Sequence, residues 1–172
     1  MDTERTRSAT AWGANSSFNI VVACEDSDTG ARALRVCGRI IGRLWRDFTF
    51  TTDLWKFGDP AGLNPIKSAP QPTKTTDMVI LSTHDRRELP GEVKQWLRSW
   101  INDPAKPRRA LVALLDEHRK GGDGPSSTEL FLRSVTSTSN VDLFCFASER
   151  GAGELPPLES LGLGASLEND DV

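Results

Sequence analysis

Polar side chains that can bind a ligand or a metal ion follow directly after an apolar run near the start of the chain. Residues 18–24 read FNIVVAC, and residues 25–30 read EDSDTG. Neighbouring carboxylates suit a hard divalent cation, and polar groups at the start of a helix suit a phosphate. The stretch therefore predicts a ligand-binding loop, whose candidate residues are Glu25, Asp26, Ser27, Thr29 and Gly30.

A histidine and an aspartate stand at similar points after two later apolar runs. His84 follows the run DMVILS, and Asp116 follows the run RALVALL. An imidazole beside carboxylates can act as a general base, which makes His84 the candidate catalytic residue of a hydrolase. Ser82 or Ser27 is then the candidate nucleophile.

Two other interpretations of the same residues stay open. Carboxylate oxygens of Glu25, Asp26 and Asp116 can hold a divalent metal ion. Alternatively, these are ordinary solvated loop residues and helix caps that bind no ligand.

The order of the sequence patterns predicts a fold that brings these candidates together. Apolar runs alternate with helical patterns, and crossovers between parallel strands are right-handed almost without exception. We predict an α/β protein, a three-layer α/β/α sandwich with a five-stranded parallel sheet in the order 2-1-3-4-5. The carboxyl ends of its strands meet at one edge, where the candidates converge. The predicted strands cover residues 18–24, 48–55, 77–82, 109–115 and 141–147.

The first predicted helix has an apolar side and a basic side. Thr29 or Asp28 is its predicted N-cap. The basic side is a solvated surface or, alternatively, a docking face for an acidic partner. In a later helix, Trp96 and Trp100 are predicted core residues. The predicted core positions of the first helix are Leu34, Cys37, Ile41, Leu44, Trp45 and Phe48, and its arginines are Arg32, Arg35, Arg39, Arg43 and Arg46.

Composition and charge argue against several classes of protein. The net charge of −3 provides no general attraction to nucleic acid or to an anionic membrane. No apolar run approaches the roughly 20 residues that span a bilayer, and no signal-peptide core follows the polar start, so we predict a cytoplasmic protein.

The three cysteines are spaced like neither a metal knuckle nor a redox pair, and we predict buried core thiols.

One folded domain is predicted, with less ordered segments around it and within it. The domain covers residues 18–147, and residues 1–17 are predicted to form a flexible arm. Residues 148–172 are predicted to form a disordered acidic tail. Four prolines fall within residues 58–76, which we predict to be a mobile loop over one end of the sheet.

The order of elements resembles the flavodoxin-like fold. Flavodoxins carry a phosphate loop of the form Ser/Thr-x-Thr-Gly-x-Thr after the first strand. The sequence SDTGAR resembles that loop at Ser27, Thr29 and Gly30, with Arg32 at the position of the last hydroxyl. This resemblance implies an FMN-binding redox protein, in which Trp55 is an aromatic platform for the flavin.

The same order of elements resembles the receiver domains of response regulators. Receivers hold Mg²⁺ with an acidic pair after the first strand, and Glu25 and Asp26 resemble that pair. Their phosphoacceptor Asp ends the third strand, where this chain has Ser82, Thr83 and His84, and the Thr or Ser and the Lys that end the next two strands are also missing. Phosphoryl transfer to Asp needs a cation near the transferring group. The resemblance therefore implies a non-catalytic signalling or interaction domain with a protein partner, and the FMN protein and the hydrolase are the alternatives.

The chain also resembles a group of uncharacterised bacterial proteins of this fold. Their shared features are an acidic first loop, a Trp-x-Phe after the second strand and a Leu-Pro-x-x-Val-x-x-Trp after the third. Here these begin at Trp55 and at Leu89. This resemblance implies kinship of fold and no particular reaction.

Overall fold

The computed structural model describes residues 16–59, 76–85, 87–104, 108–116 and 124–148. The predictions of a flexible arm, a mobile proline-rich loop and a disordered tail fall almost entirely outside these residues. The first strand begins two residues before its predicted start, at Ser16.

Five strands form one parallel sheet in the predicted order. The neighbours run β2-β1-β3-β4-β5, and every pairing is parallel. This confirms the predicted α/β arrangement, which is consistent with a flavodoxin-like fold. The strands are β1 (Ser16–Cys24), β2 (Phe48–Lys56), β3 (Met78–Thr83), β4 (Arg109–Asp116) and β5 (Val141–Ser148).

Helices cover both faces of the sheet, as the predicted three layers require. Helix α1 (Ser27–Leu44) packs on one face, and α2 (Gly91–Ile101) and α3 (Ser127–Thr136) pack on the other. Alternate residues of the central strands supply the two cores, because successive side chains of a strand point to opposite faces. Trp96 and Trp100 are 2% and 0% exposed, so their prediction as core residues is confirmed.

The structure corrects three details of the helical pattern. The N-cap of α1 is Asp26, whose backbone is extended, and neither Thr29 nor Asp28 is the cap. Leu34 and Trp45 were predicted core positions, but they are 43% and 61% exposed. Helix α1 contacts the sheet through a narrow row of residues. Leu34 and Trp45 lie to the side of that row, which includes Ala33, Val36, Cys37 and Ile40.

In the described part of the chain, none of the helices combines the length and the apolar character that a membrane span requires.

The carboxyl ends of β1, β3 and β4 lie at one edge of the sheet, where α1 begins. The sequence candidates after these strands are therefore neighbours, as the topology requires.

Candidate functional site

The start of α1 is held in place by reciprocal hydrogen bonds. The Thr29 backbone N–H donates to Asp26 Oδ1 at 2.9 Å, and the Asp26 backbone N–H donates to Thr29 Oγ1 at 2.9 Å. This capping box satisfies two backbone donors at the helix end. At Gly30, an added Cβ would lie 3.1 Å from Cys24 Sγ, a tight contact that would require Cys24 or α1 to shift by a few tenths of an ångström. These contacts fix where the Asp26 carboxylate projects.

Glu25 determines how the chain leaves β3. Its Oε2 accepts hydrogen bonds from Thr83 Oγ1 at 2.7 Å and from the His84 backbone N–H at 2.8 Å. Thr83 Oγ1 in turn accepts from the Asp85 backbone N–H at 3.0 Å. Asp85 is buried and has a φ of 54°, a left-handed conformation that Asp tolerates better than most residues. Glu25 therefore positions His84 through the backbone.

His84 lies between two carboxylates. Its Nδ1 is 2.7 Å from Asp116 Oδ2, and its Nε2 is 2.7 Å from Asp26 Oδ2. Carboxylate oxygens at both ring nitrogens are best satisfied when both nitrogens carry protons, which is the imidazolium form. The side chains of His84 and Asp116 are 19% and 11% exposed, so this contact is shielded from most of the solvent.

Arg32, on α1, donates hydrogen bonds to residues at the ends of β3 and β4. Its Nη1 donates to Asp116 Oδ1, and its Nε donates to Ser82 Oγ at 3.1 Å. Its Nη2 donates to the backbone carbonyls of Thr83 and Leu114, each at 2.9 Å. The guanidinium therefore ties α1 to the ends of β3 and β4. We call Glu25, Asp26, Arg32, Ser82, Thr83, His84 and Asp116 the edge network.

The pKa values follow from these contacts. The hydrogen bond from the Thr29 backbone, with a further one from His84, lowers the pKa of Asp26 to about 2. Burial by itself would raise the pKa of Asp116, but hydrogen bonds from His84 and Arg32 outweigh it and leave that pKa lowered. The hydrogen bond to Asp116 is the largest cause of a raised pKa at His84, and Asp26 acts in the same direction. At neutral pH the two aspartates are ionised, and the raised pKa favours a charged imidazole.

The arrangement limits the chemistry available to each candidate. A general base needs a nitrogen lone pair that faces the substrate. Both nitrogens of His84 face carboxylates of the protein instead. Ser82 is 0% exposed, and its Oγ accepts from Arg32, so this hydroxyl is not presented to solvent as a nucleophile. Among the described residues, no group of three or more ligating side chains is arranged to hold a metal ion.

The structure brings together only part of the predicted site. Glu25, Asp26, His84 and Asp116 meet as their topology requires. Thr29 is 2% exposed and uses its hydroxyl within the capping box. The remaining candidates lie elsewhere: Ser27 is exposed in the first turn of α1, Gly30 packs on Cys24, and Trp55 packs edge to face against Trp96 with ring centroids 4.9 Å apart.

The sequence pattern did not predict that Arg32 belongs to the edge network. The basic pattern assigned it to a solvated row, and the loop resemblance assigned it to a bound phosphate. In the structure it lies in the second turn of a helix that begins at the sheet edge, next to Ala33, which faces the sheet. A long cation at such a position, followed along the chain by acidic strand ends, is the signal that points to an internal ion pair.

The chain matches no protein-family model and no curated protein.

Proposed function

We propose that this chain is a non-catalytic, receiver-like signalling or interaction domain. In this proposal the edge network stands where receivers bind a metal ion and a phosphoryl group. The single observation that carries the proposal is the position of His84, with each ring nitrogen 2.7 Å from a carboxylate oxygen. The protein's own ionised groups compensate each other there.

The carboxylates that would hold Mg²⁺ in a receiver have other partners here. Glu25 Oε2 accepts two hydrogen bonds from the exit of β3, and Asp26 caps α1 while it contacts His84. A cation that took these oxygens would have to displace those donors. The imidazolium of His84 and the guanidinium of Arg32 already supply positive charge to this edge, so the site gains less from a metal than a purely acidic one.

The two enzymatic alternatives have less support from the contacts. A flavin phosphate in the loop that resembles that of flavodoxins would need the Thr29 hydroxyl, which is buried and used by Asp26. Hydrolysis by His84 would need Asp26 or Asp116 to release one ring nitrogen before a proton could be taken. In the proposal the domain acts through its surface, and the network keeps the sheet edge in one conformation.

The experiment is a set of titrations of the ¹⁵N-labelled protein followed by NMR. Ring-nitrogen shifts of His84 report whether both nitrogens carry protons, and backbone amides of Glu25, Asp26 and His84 report ligands. The ligands are Mg²⁺, Mg²⁺ with beryllium fluoride as a phosphoryl mimic, and FMN. We expect a doubly protonated His84 at neutral pH and no saturable amide shifts.

Three outcomes contradict the proposal. Saturable shifts with Mg²⁺ and beryllium fluoride would show a working phosphoacceptor-type site. Quenching of FMN fluorescence that weakens in Thr29→Ala would show a flavoprotein. Ester or phosphoester hydrolysis that is lost in His84→Gln, with the fold retained by circular dichroism, would show an enzyme.

A further inference from the structure

The side of α1 that faces away from the sheet carries three parallel rows of residues. Residues three or four apart on a helix share a side, so each row runs along the helix axis. We call this surface the outer face of α1. Its rows are an apolar row (Leu34, Ile41, Trp45), a row of glycines (Gly38, Gly42) and a basic row (Arg35, Arg39, Arg43).

The apolar row exposes large side chains to water. Trp45 is 61% exposed and Leu34 is 43% exposed, whereas Ile41 is half-buried. Arg46 lies over the Trp45 ring, 5.4 Å from its centroid, so a cation already borders this end of the row. Apolar surface with a charged border is typical of protein interaction sites.

Two arginines of the basic row carry positive charge that no salt bridge within the described part of the chain offsets. Arg35 and Arg39 are exposed, and neither forms a salt bridge with any residue that the structure describes. Like charges four residues apart on a helix repel each other, so this row destabilises α1 when the protein is alone. An acidic partner would turn the repulsion into attraction.

The glycine row lies between the other two and has no packing reason within the described fold. A Cβ added at Gly38 or at Gly42 would meet nothing within 4 Å. Glycine inside a helix is less stable than alanine, so both positions cost stability without a close neighbour that requires them. Small residues four apart let the backbone of a second helix come close.

We infer that the outer face of α1 is a docking surface for an acidic amphipathic helix of a partner protein. The partner helix would lie along the glycine row, with apolar residues against Leu34 and Trp45 and carboxylates against Arg35 and Arg39. This inference adds a specific docking surface to the proposed interaction domain. Its evidence lies on α1 and is separate from the edge network, so the two are tested independently.

Charge and shape favour this occupant over the others. A second copy of the same face would bring arginines or apolar side chains, but no carboxylates, to the basic row. Duplex nucleic acid would be repelled by the net charge of −3, and its phosphate backbone would make no apolar contacts with Leu34 and Trp45. A lipid surface could contact the arginines and Trp45. It would not require the small residues Gly38 and Gly42, because no second helix backbone has to come close.

A display selection tests the inference without a known partner. A library of helical peptides is selected on the full chain, with counter-selection on Arg35→Glu/Arg39→Glu. We expect enriched peptides with an apolar row beside acidic residues four apart. Their affinity should fall at least tenfold for Arg35→Glu/Arg39→Glu and recover when the acidic residues of the peptide are changed to lysine.

The glycine variant separates docking from folding. Gly38→Ala/Gly42→Ala should raise the midpoint of thermal unfolding by about 3–8 °C, because alanine favours the helix, and weaken the selected peptides about tenfold. Arg108→Glu, on an exposed residue outside α1, is the matched charge-reversal control and should leave peptide affinity unchanged.

Other outcomes overturn the inference. A selection that enriches no peptide, or only peptides that bind the wild type and both variants equally, would show that the face is not a helix-docking surface. Binding to phosphatidylserine vesicles or duplex DNA that is lost in Arg35→Glu/Arg39→Glu, without peptide binding, would assign the arginines to a membrane or to nucleic acid. A dimer in sedimentation that disappears in Gly38→Ala/Gly42→Ala would assign the face to a second copy.

Discussion

Arg32 and Arg35 are the same residue type on the same helix, three positions apart, yet the fold treats their charges in opposite ways. Arg32 turns into the sheet edge and donates to Asp116, to Ser82 and to two backbone carbonyls. Arg35 points to solvent on the outer face of α1. The two positions are only about 60° apart around the helix, so the difference comes mainly from their place along it. Arg32 lies almost one turn closer to the start of α1, at the sheet edge, where a long side chain can reach the ends of β3 and β4.

The comparison separates charges that are paired within the described fold from charges that are not. At the sheet edge, three carboxylates and two cations compensate each other in a partly buried setting. On the outer face of α1, Arg35 and Arg39 form no salt bridge with any described residue. Changes at the edge should therefore alter stability strongly, and changes on the outer face should alter it little.

The largest effect is expected from Asp116→Ala. It removes the carboxylate that contacts both Arg32 and His84, and it leaves two cations close together at a partly buried site. We expect a loss of about 3–5 kcal/mol in the free energy of unfolding, measured by urea denaturation at neutral pH. Asp142→Ala is the control, since Asp142 is 57% exposed in a 3.7 Å contact with Arg108, and should change stability by less than about 0.5 kcal/mol. Equal effects of the two variants would show that the edge network stabilises the fold no more than an exposed ion pair does.

The next effect is expected from Arg32→Met, with Arg35→Met as its control. Arg32→Met keeps most of the aliphatic volume but leaves the carbonyls of Thr83 and Leu114 without their donor. We expect a loss of about 2–3 kcal/mol, against less than about 0.5 kcal/mol for Arg35→Met. If Arg35→Met destabilised the protein as much, the outer face would contribute to the fold itself.

The edge network should also make stability depend on pH. The pKa of His84 is raised above its ordinary value of 6.5, so its contribution is complete below about pH 6.5 and is lost as the pH rises through the raised value. The pKa of Asp26 is lowered from 3.8 to about 2, so its contribution is present above pH 3.8 and is lost as the pH falls toward 2.

Urea denaturation across pH tests this dependence. Stability should be highest between about pH 4 and 6.5, and the decline on the alkaline side should flatten in His84→Gln. A His84 resonance that titrates at or below its ordinary pKa by NMR would contradict the contact with two carboxylates.

The smallest effect is expected on the outer face of α1. Arg39→Gln removes a positive charge that lies one turn from Arg35 and one turn from Arg43. Because like charges at this spacing repel, we expect a gain of about 0.2–0.5 kcal/mol that shrinks in high salt. A loss of stability, measured by thermal unfolding at low and high salt, would show that Arg39 has a structural role.

Much of the fold could be predicted because its signals are local. Residues 77–82 are almost continuously apolar, as expected of a central parallel strand. The convergence of Glu25, Asp26, His84 and Asp116 followed from the topology alone. The N-cap of α1 was misplaced because Asp26, Asp28 and Thr29 are all good capping residues, and only the backbone conformation selects one of them.

The partners within the site could not be predicted in the same way. A pattern places His84 near acidic residues, but it does not say that both ring nitrogens would be occupied. Nor does it separate Arg32 from Arg35, since both continue one basic pattern. The exposure of Leu34 and Trp45 was missed because apolar spacing does not reveal how narrow the contact between a helix and a sheet is.

The sequence by itself determined the order of strands and helices, the parallel sheet and the edge at which the polar loops meet, because apolar periodicity and chain connectivity act over short stretches. The tertiary structure alone decided which charges neutralise each other at that edge and which remain on the outer face of α1. Those outcomes depend on side-chain directions and on distances of a few ångströms between residues far apart in the chain. No pattern along the chain records such distances.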